Sequence, residues 1–328
     1  MCMNINWSNP YAERRGEWLI GNLHTHCIPS SPCGVLSLSD MVDLYAECGH
    51  DFLTISDHMS LTDPPRNDRM VFIPGIEWNS LRGEHTGVYS TDTRLLQDAL
   101  AISDHNQLLD TLAKTDALVV LNHPGWHFVS QERKEQYQKD SASNDGGAPT
   151  ERPQPVRHYS IEELLQKPHY DGLEIYNGVI ERLPGVALAV DVWDALLAAG
   201  RRVLGFALDD AHDTCDVGNA WLGVRAPDRT AEAILGAIRQ GNFYASTGVV
   251  LDDIRRESHT LTIESQNAEE IQVIGPGGRR LLQTDQPSLR YTLHDDDAGP
   301  FRFAAHGYGS SMAWTQPFFI DPTRPDAS

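Results

Sequence analysis

Trp18-Leu-Ile-Gly-Asn-Leu-His24-Thr-His26 decides how this chain is read. An apolar run ends in two imidazoles spaced i, i+2. On an extended backbone such residues point to one side, so two rings can share one ion. Alone, a His-x-His pair is a weak signal, because a satisfied core histidine is the commoner state. Its weight comes from repetition. Phe52-Leu-Thr-Ile-Ser-Asp57-His58, Val71-Phe-Ile-Pro-Gly-Ile-Glu77 and Ala117-Leu-Val-Val-Leu-Asn-His123 each end an apolar run in a metal-ligating type. Val203-Leu-Gly-Phe-Ala-Leu208 leads into Asp209-Asp210-Ala-His212, and His85 opens the run to Ser90. A carboxylate such as Glu77 at the end of a hydrophobic run is costly unless paired or metal-bound, and bound it can bridge two cations. Asp57 suits a supporting role or a cap.

Strands are expected near Trp18–His24, Phe52–Ser56, Met70–Glu77, His85–Ser90, Ala117–Asn122, Gly172–Tyr176, Arg202–Leu208 and Ala220–Val224. Their apolar residues are continuous rather than alternating, as in strands buried on both faces. Helices are expected between them: one capped by Ser39 and closed by Gly49, then Arg94 to Lys114, Val186 to Ala199 and Thr230 to Arg239. The alternation predicts a parallel α/β barrel, in which active sites gather at the carboxyl ends of the strands. Residues 130–158 are almost devoid of apolar side chains and read as a flexible insertion, a solvated loop or a lid over His123. Past Thr247-Gly248, short strand-like runs separated by Gly, Asp and Pro predict a small β-rich, sandwich-like domain over 249–328, after a barrel over 1–248. Residues 323–328 read as a frayed tail.

Composition narrows the classes. The 328 residues are 40% hydrophobic, which suffices for a full core. The net charge of −20 and the lack of a basic stripe disfavour nucleic acid as a partner. No transmembrane run or signal-peptide core is evident, and the five cysteines form no Cys-x-x-Cys pair, so a cytoplasmic location is expected. The expected partner is a small, anionic substrate. An oligomer stays open.

His24-Thr-His26, Ser56-Asp57-His58, Gly75-Ile-Glu77, His85, Asn122-His123-Pro124 and Asp210-Ala-His212 follow the order seen in the PHP (polymerase and histidinol phosphatase) superfamily, and the chain resembles it over residues 22–212. Glu174-Ile-Tyr-Asn177-Gly178, the stretch from Arg239 to Gly248 and Ala313-Trp-Thr-Gln-Pro317 are similar to the CehA/McbA-type branch, named for carbamate hydrolysis. The resemblance implies a distorted (β/α)7 TIM-like barrel holding two or three divalent ions (Mn, Zn or Fe). It implies a first ion on His24, His26, Glu77 and Asp210, and a second on Glu77, His85 and His123. A third would sit on His58 and His212 plus one ligand, usually Asp or His, from just after the His-x-His pair. Ser30-Ser-Pro-Cys33-Gly34 stands there instead. Cys33 either supplies a thiolate or packs as a small buried residue, and packing is the expectation, because cysteine is among the most buried types.

The chemistry these residues imply is hydrolysis by a metal-bridged hydroxide, with Asp210 accepting a proton and His212 or His58 protonating the leaving oxygen. The expected reaction is phosphoester cleavage on a small phosphorylated metabolite or nucleotide. A carbamate, ester or amide hydrolase and a non-catalytic metal-stabilised binding module are the alternatives. Asn177, His127 and Arg182 are expected substrate contacts, with Trp126 and Arg157 nearby.

Overall fold

Ser37, not Ser39, starts the first helix. Its hydroxyl accepts from the Asp40 amide, and Leu38–Glu47 follows, closed by Cys48 and by Gly49 at φ +80°. The computed structural model describes residues 6–63, 69–142, 155–294 and 297–321. The stretch expected as one helix from Arg94 divides into Thr93–Leu100 and His105–Leu112. Asp104 divides it, because its carboxylate accepts from the Gln107 amide and so caps a second helix. Thr230 caps Ala231–Arg239 in the same way. Residues 186–189 are not helical; Val190–Ala198 is. The preceding turns run alongside the site, with the Val186 amide donating to Gly125 O (3.0 Å) and the His127 amide to Pro184 O (2.9 Å).

Two sheets carry the expected strands. In one, Trp18–Asn22 pairs in parallel with Phe52–Leu53, which pairs in parallel with Val71–Phe72. In the other, Leu204–Leu208, Gly172–Asn177 and Leu118–Leu121 are parallel. The parallel expectation fails elsewhere. Gly75–Asn79 and His85–Tyr89 are antiparallel, because residues 80–84 between them are far too few for a crossover. Trp221–Arg225 runs antiparallel to Trp18–Asn22. The described strands do not close into one hydrogen-bonded ring. Two isolated parallel bridges, Thr25 to Ala211 and His58 to Glu77, tie the sheets together. Both lie among the candidate ligands.

The first sheet continues into the C-terminal region. Trp221–Arg225 pairs with Phe243–Ser246, which pairs with Met312–Thr315 and through it with Gly299–Gly307. Phe318–Asp321 then pairs with the N-terminal strand Asn6–Ser8. A three-stranded sheet of Leu251–Glu257, Thr260–Ser265 and Ser288–Thr292 completes the β-rich part. One core lies among the mixed elements, including Leu23, Phe52, Trp78, Val120, Trp193 and Phe206. Another fills the β-rich part around Trp7, Leu251, Ile263, Ile271, Phe301 and Phe318.

A buried ion pair links the two. Arg302, 3% exposed, sends Nε and Nη2 to the Asp194 carboxylate at 2.9 and 2.8 Å. Removing one partner strands the other charge. Asp194→Ala should therefore cost about 3–5 kcal/mol, read as a lower urea midpoint, and pairing it with Arg302→Met should recover part of the loss. An unchanged midpoint would show that the pair contributes nothing.

Part of the polar insertion, Gln131–Ala142, is helical rather than an irregular loop. Residues 143–154, on which the loop and lid expectations mainly rest, lie outside the described residues, as does the expected frayed tail. His127–Phe128 pairs with Val156–Arg157, so the excursion leaves and returns through a two-stranded ribbon. Among the described residues no helix is long and apolar enough to cross a membrane.

Candidate metal centre

Five imidazoles surround the Glu77 carboxylate. Oε1 lies 3.3 Å from His24 Nε2, 3.1 Å from His85 Nδ1 and 3.2 Å from His123 Nε2. Oε2 lies 3.3 Å from His26 Nε2 and 2.9 Å from His58 Nδ1. Asp210 Oδ1 is 3.1 Å from both His24 Nε2 and His26 Nε2. His212 completes the set, its ring centre 4.5 Å from that of His26. All eight sequence-selected ligand candidates thus lie together: Glu77 within Gly75–Asn79, His85 opening His85–Tyr89, and the others past the ends of strands.

Many of these contacts are close without being hydrogen bonds. His24 Nε2, His26 Nε2, His58 Nδ1, Glu77 Oε2 and Asp210 Oδ1 are all buried with no hydrogen-bond partner. An orphaned buried polar atom costs about 1–3 kcal/mol, and five aimed at one small volume form a donor set that a cation satisfies. Imidazole nitrogens and carboxylate oxygens suit zinc, manganese or iron. Backbone strain marks the same places: His123 has φ +31° and Asp210 φ +54°, values that non-glycine residues rarely adopt.

The charges point the same way. Burial pushes the His58 imidazole down, but the facing Glu77 carboxylate overrides it and carries the group up to about 11. Burial likewise opposes Asp210 at His212, which ends raised to about 9. Burial lowers His26 to about 4. Glu77, against its own burial, is held well below the usual carboxylate range by His58, His24 and His85. Protons on histidine thus supply the positive charge that the buried carboxylates require.

A second ring of residues aims the first. His24 Nδ1 lies 2.5 Å from Glu174 Oε1, while Glu174 Oε2 accepts from the His123 amide (2.6 Å) and from Asn177 Nδ2 (2.8 Å). Asn122 Nδ2 donates to Glu77 Oε1 at 2.8 Å. His158 stacks on His123, and its Nε2 lies 2.6 Å from Gly83 O. Asp57 holds the turn after His26, its Oδ1 accepting from the Cys27 amide at 2.9 Å. Sequence reasoning gave Glu174 no role, although it lies inside an apolar run just as Glu77 does. His158 had no such flag, since it follows the polar insertion. A carboxylate behind a ligating histidine fixes its tautomer and raises its basicity. Glu174→Gln should therefore weaken metal binding about 10–100-fold in a chelator-competition titration, and unchanged affinity would end this assignment.

The expected substrate contacts fare differently. Asn177 is 1% exposed, with Nδ2 on Glu174 and Asp210 and Oδ1 accepting from the Ile180 amide, so its amide is spent on the scaffold. Arg182 turns Nε and Nη2 onto Asp216 at 2.7 and 2.6 Å. His127 is exposed on its short strand. Trp126 faces His123 and His85 with ring centres 5.2 and 5.7 Å apart, and stacks on Phe128. The centre opens on one side: the His58 side chain is 27% exposed and His24 not at all. Cys33, expected to be buried, is exposed at this opening beside His58 and His212.

Residues 197–243 match the family model described as PHP-associated. No curated protein matches the chain. Among solved structures, the chain is similar to a two-domain protein from Bacteroides vulgatus described as containing a predicted PHP-like metal-dependent phosphoesterase. Identity is 15%, TM-score 0.43, and 94% of this chain and 92% of that one are covered. A lesion-specific endonuclease from Pyrococcus furiosus is 13% identical with TM-score 0.45, covering 69% of this chain and 56% of that one. PsfC from Pseudomonas syringae is 12% identical with TM-score 0.41, covering 68% and 88%.

Proposed function

We propose that the chain is a PHP-type metal-dependent hydrolase, a phosphoesterase acting on a small anionic substrate. The observation that carries this reading is the set of orphaned donor atoms around Glu77 and Asp210. Two ions are assigned, the first to His24, His26, Glu77 and Asp210, the second to Glu77, His85 and His123. Such ions, when bound, acidify water and neutralise charge on an ester's oxygens.

The protein's own groups do the rest. Glu77 and Asp210 hold negative charge in a buried place, which histidine protons or bound cations balance. Glu174 fixes the His24 ring, and Asn122 fixes the Glu77 carboxylate. Asp210 accepts the proton of the attacking water. His58 and His212 flank the open side, where a leaving oxygen would emerge; each serves either as proton donor or as ligand to a further ion, not as both.

A carbamate or ester is the second reading, and one observation favours it. Arg182 is paired with Asp216, and Arg157 approaches Pro124 O (3.4 Å) and Asp191 (3.9 Å). A phosphate would then depend on the ions for most of its charge neutralisation. Assays with an aryl phosphate and an aryl carbamate, each with added manganese or zinc, separate the two. Faster phosphate turnover is expected. Carbamate turnover alone would move the assignment, and no turnover of either with metal loaded would remove it.

A further inference from the structure

We propose that Cys33 supplies a thiolate to a distinct cation site with His58 and His212, making it a nitrogen–sulfur site for a zinc-class ion beside the oxygen-rich pair around Glu77. The inference rests on the same reading of the region as a metal centre, and departs from the expectation that Cys33 merely packs.

The ligating atoms of His26, Cys33, His58 and His212 all lie within 4.8 Å of one another. The His26 ring centre is 4.5 Å from both the His58 and the His212 rings. His26 Nε2 and His58 Nδ1 are among the orphaned buried atoms. The turn bearing Cys33 is built against its partners. Ser31 Oγ lies 3.2 Å from His26 Nδ1 and accepts from the His58 amide at 3.0 Å. Ser31 N donates to Cys27 O (2.9 Å), Gly34 N to Ser31 O (3.1 Å) and Val35 N to His212 O (2.9 Å). Backbone contacts on both sides of Cys33 thus fix its turn to the segments carrying all three histidines.

Cys33 differs from the other described thiols. Cys27 is buried and gives its Sγ hydrogen to Asp57, and burial with that carboxylate raises it to about 12. At Cys33 the neighbours are the His212 and His58 imidazoles instead. Imidazoles around a thiol make a thiolate, and the thiolate is the metal ligand. Soft sulfur selects zinc over manganese. His26 Nε2 also faces Glu77 and Asp210, so a filled first site claims it. Cys33, His58 and His212 then leave one position open, the pattern of catalytic rather than structural zinc. Held as ligands, His58 and His212 are no longer available as proton donors.

The test uses the full chain in two ways. Cobalt(II)-loaded protein should show thiolate-to-cobalt charge-transfer absorption in the near ultraviolet, absent from Cys33→Ser, which should also bind one ion fewer. In the wild-type protein, zinc should slow iodoacetamide alkylation of Cys33 by at least about tenfold, with exposed Cys48 and Cys215 unaffected as references in peptide mass spectra. Absorption that persists in Cys33→Ser, an unchanged ion count, or Cys33 alkylation indifferent to zinc would overturn the proposal. The enzymatic reading fails separately: charge transfer and protection with no ester turnover would discard the hydrolase and keep the thiolate site.

Discussion

Glu77→Gln should cost the centre at least one ion and cut hydrolysis about 10³-fold. The substitution keeps the volume and removes the charge that five imidazoles face. It also gives one side of the group hydrogen-bond donors where only acceptors or an ion can be accommodated. Because the carboxylate is assigned to both ions, its loss removes several kcal/mol of charge stabilisation, taken here as about 4 kcal/mol, or about 10³-fold in kcat/KM. Elemental analysis of the variant should show at least one ion lost. Full activity in metal-free buffer would refute both the ligand assignment and the hydrolase built on it.

Stripping the metal should lower the melting temperature by about 5–10 °C, taking about 4 kcal/mol for ligand at a thousandfold excess over its Kd and the usual slope for a large domain. The five orphaned atoms are the local reason. The gap should widen with pH. His58 is raised to about 11 in the folded, metal-free chain and His212 to about 9, both above the unfolded value of about 6.5. Their protons therefore stabilise that form fully below about pH 6.5, and this contribution is lost as pH rises through the folded values. Protons and metal compete for the same nitrogens, so the difference between zinc-loaded and chelated protein should be larger near about pH 8.5 than near about pH 6. Melting curves with and without chelator at both values check this. Coincident curves would mean that the polar cluster is satisfied without any ion.

What the sequence made readable was the placement of chemistry at the ends of apolar runs. His24 and His26, Glu77, His123 and Asp210 each terminate one, and chain direction brings such ends together when the strands share sheets. The strand pairing was less readable. A run of buried residues looks the same in parallel and antiparallel neighbours, so the antiparallel placement of Gly75–Asn79 beside His85–Tyr89 was visible only in the shortness of residues 80–84. The break between Thr93–Leu100 and His105–Leu112 leaves the apolar period nearly intact, and only the Asp104 cap betrays it. Asn177 and Arg182 were selected for proximity to strand ends, but proximity does not reveal a prior partner; Glu174 and Asp216 have already engaged them. Exposure at Cys33 was hidden by the general tendency of its residue type, which a turn fixed to three histidines outweighs. Nothing in Asn6–Ser8 announces that it pairs with Phe318–Asp321.

Gln316 has one further effect on the centre. Its side-chain amide accepts from the Gly205 amide and donates to Gly205 O, both at 2.8 Å, on the strand Leu204–Leu208 that leads to Asp210 and His212. Its own backbone amide donates to Tyr11 Oη at 2.6 Å, and Tyr11 donates to Phe243 O at 2.7 Å. A single carboxamide stands where a neighbouring strand would have to be, sealing a border that would otherwise invite foreign chains. The segment around Gln316 therefore acts as the hem of the wall behind the candidate centre, and cutting the chain before this residue would fray that wall rather than merely trim an ornament.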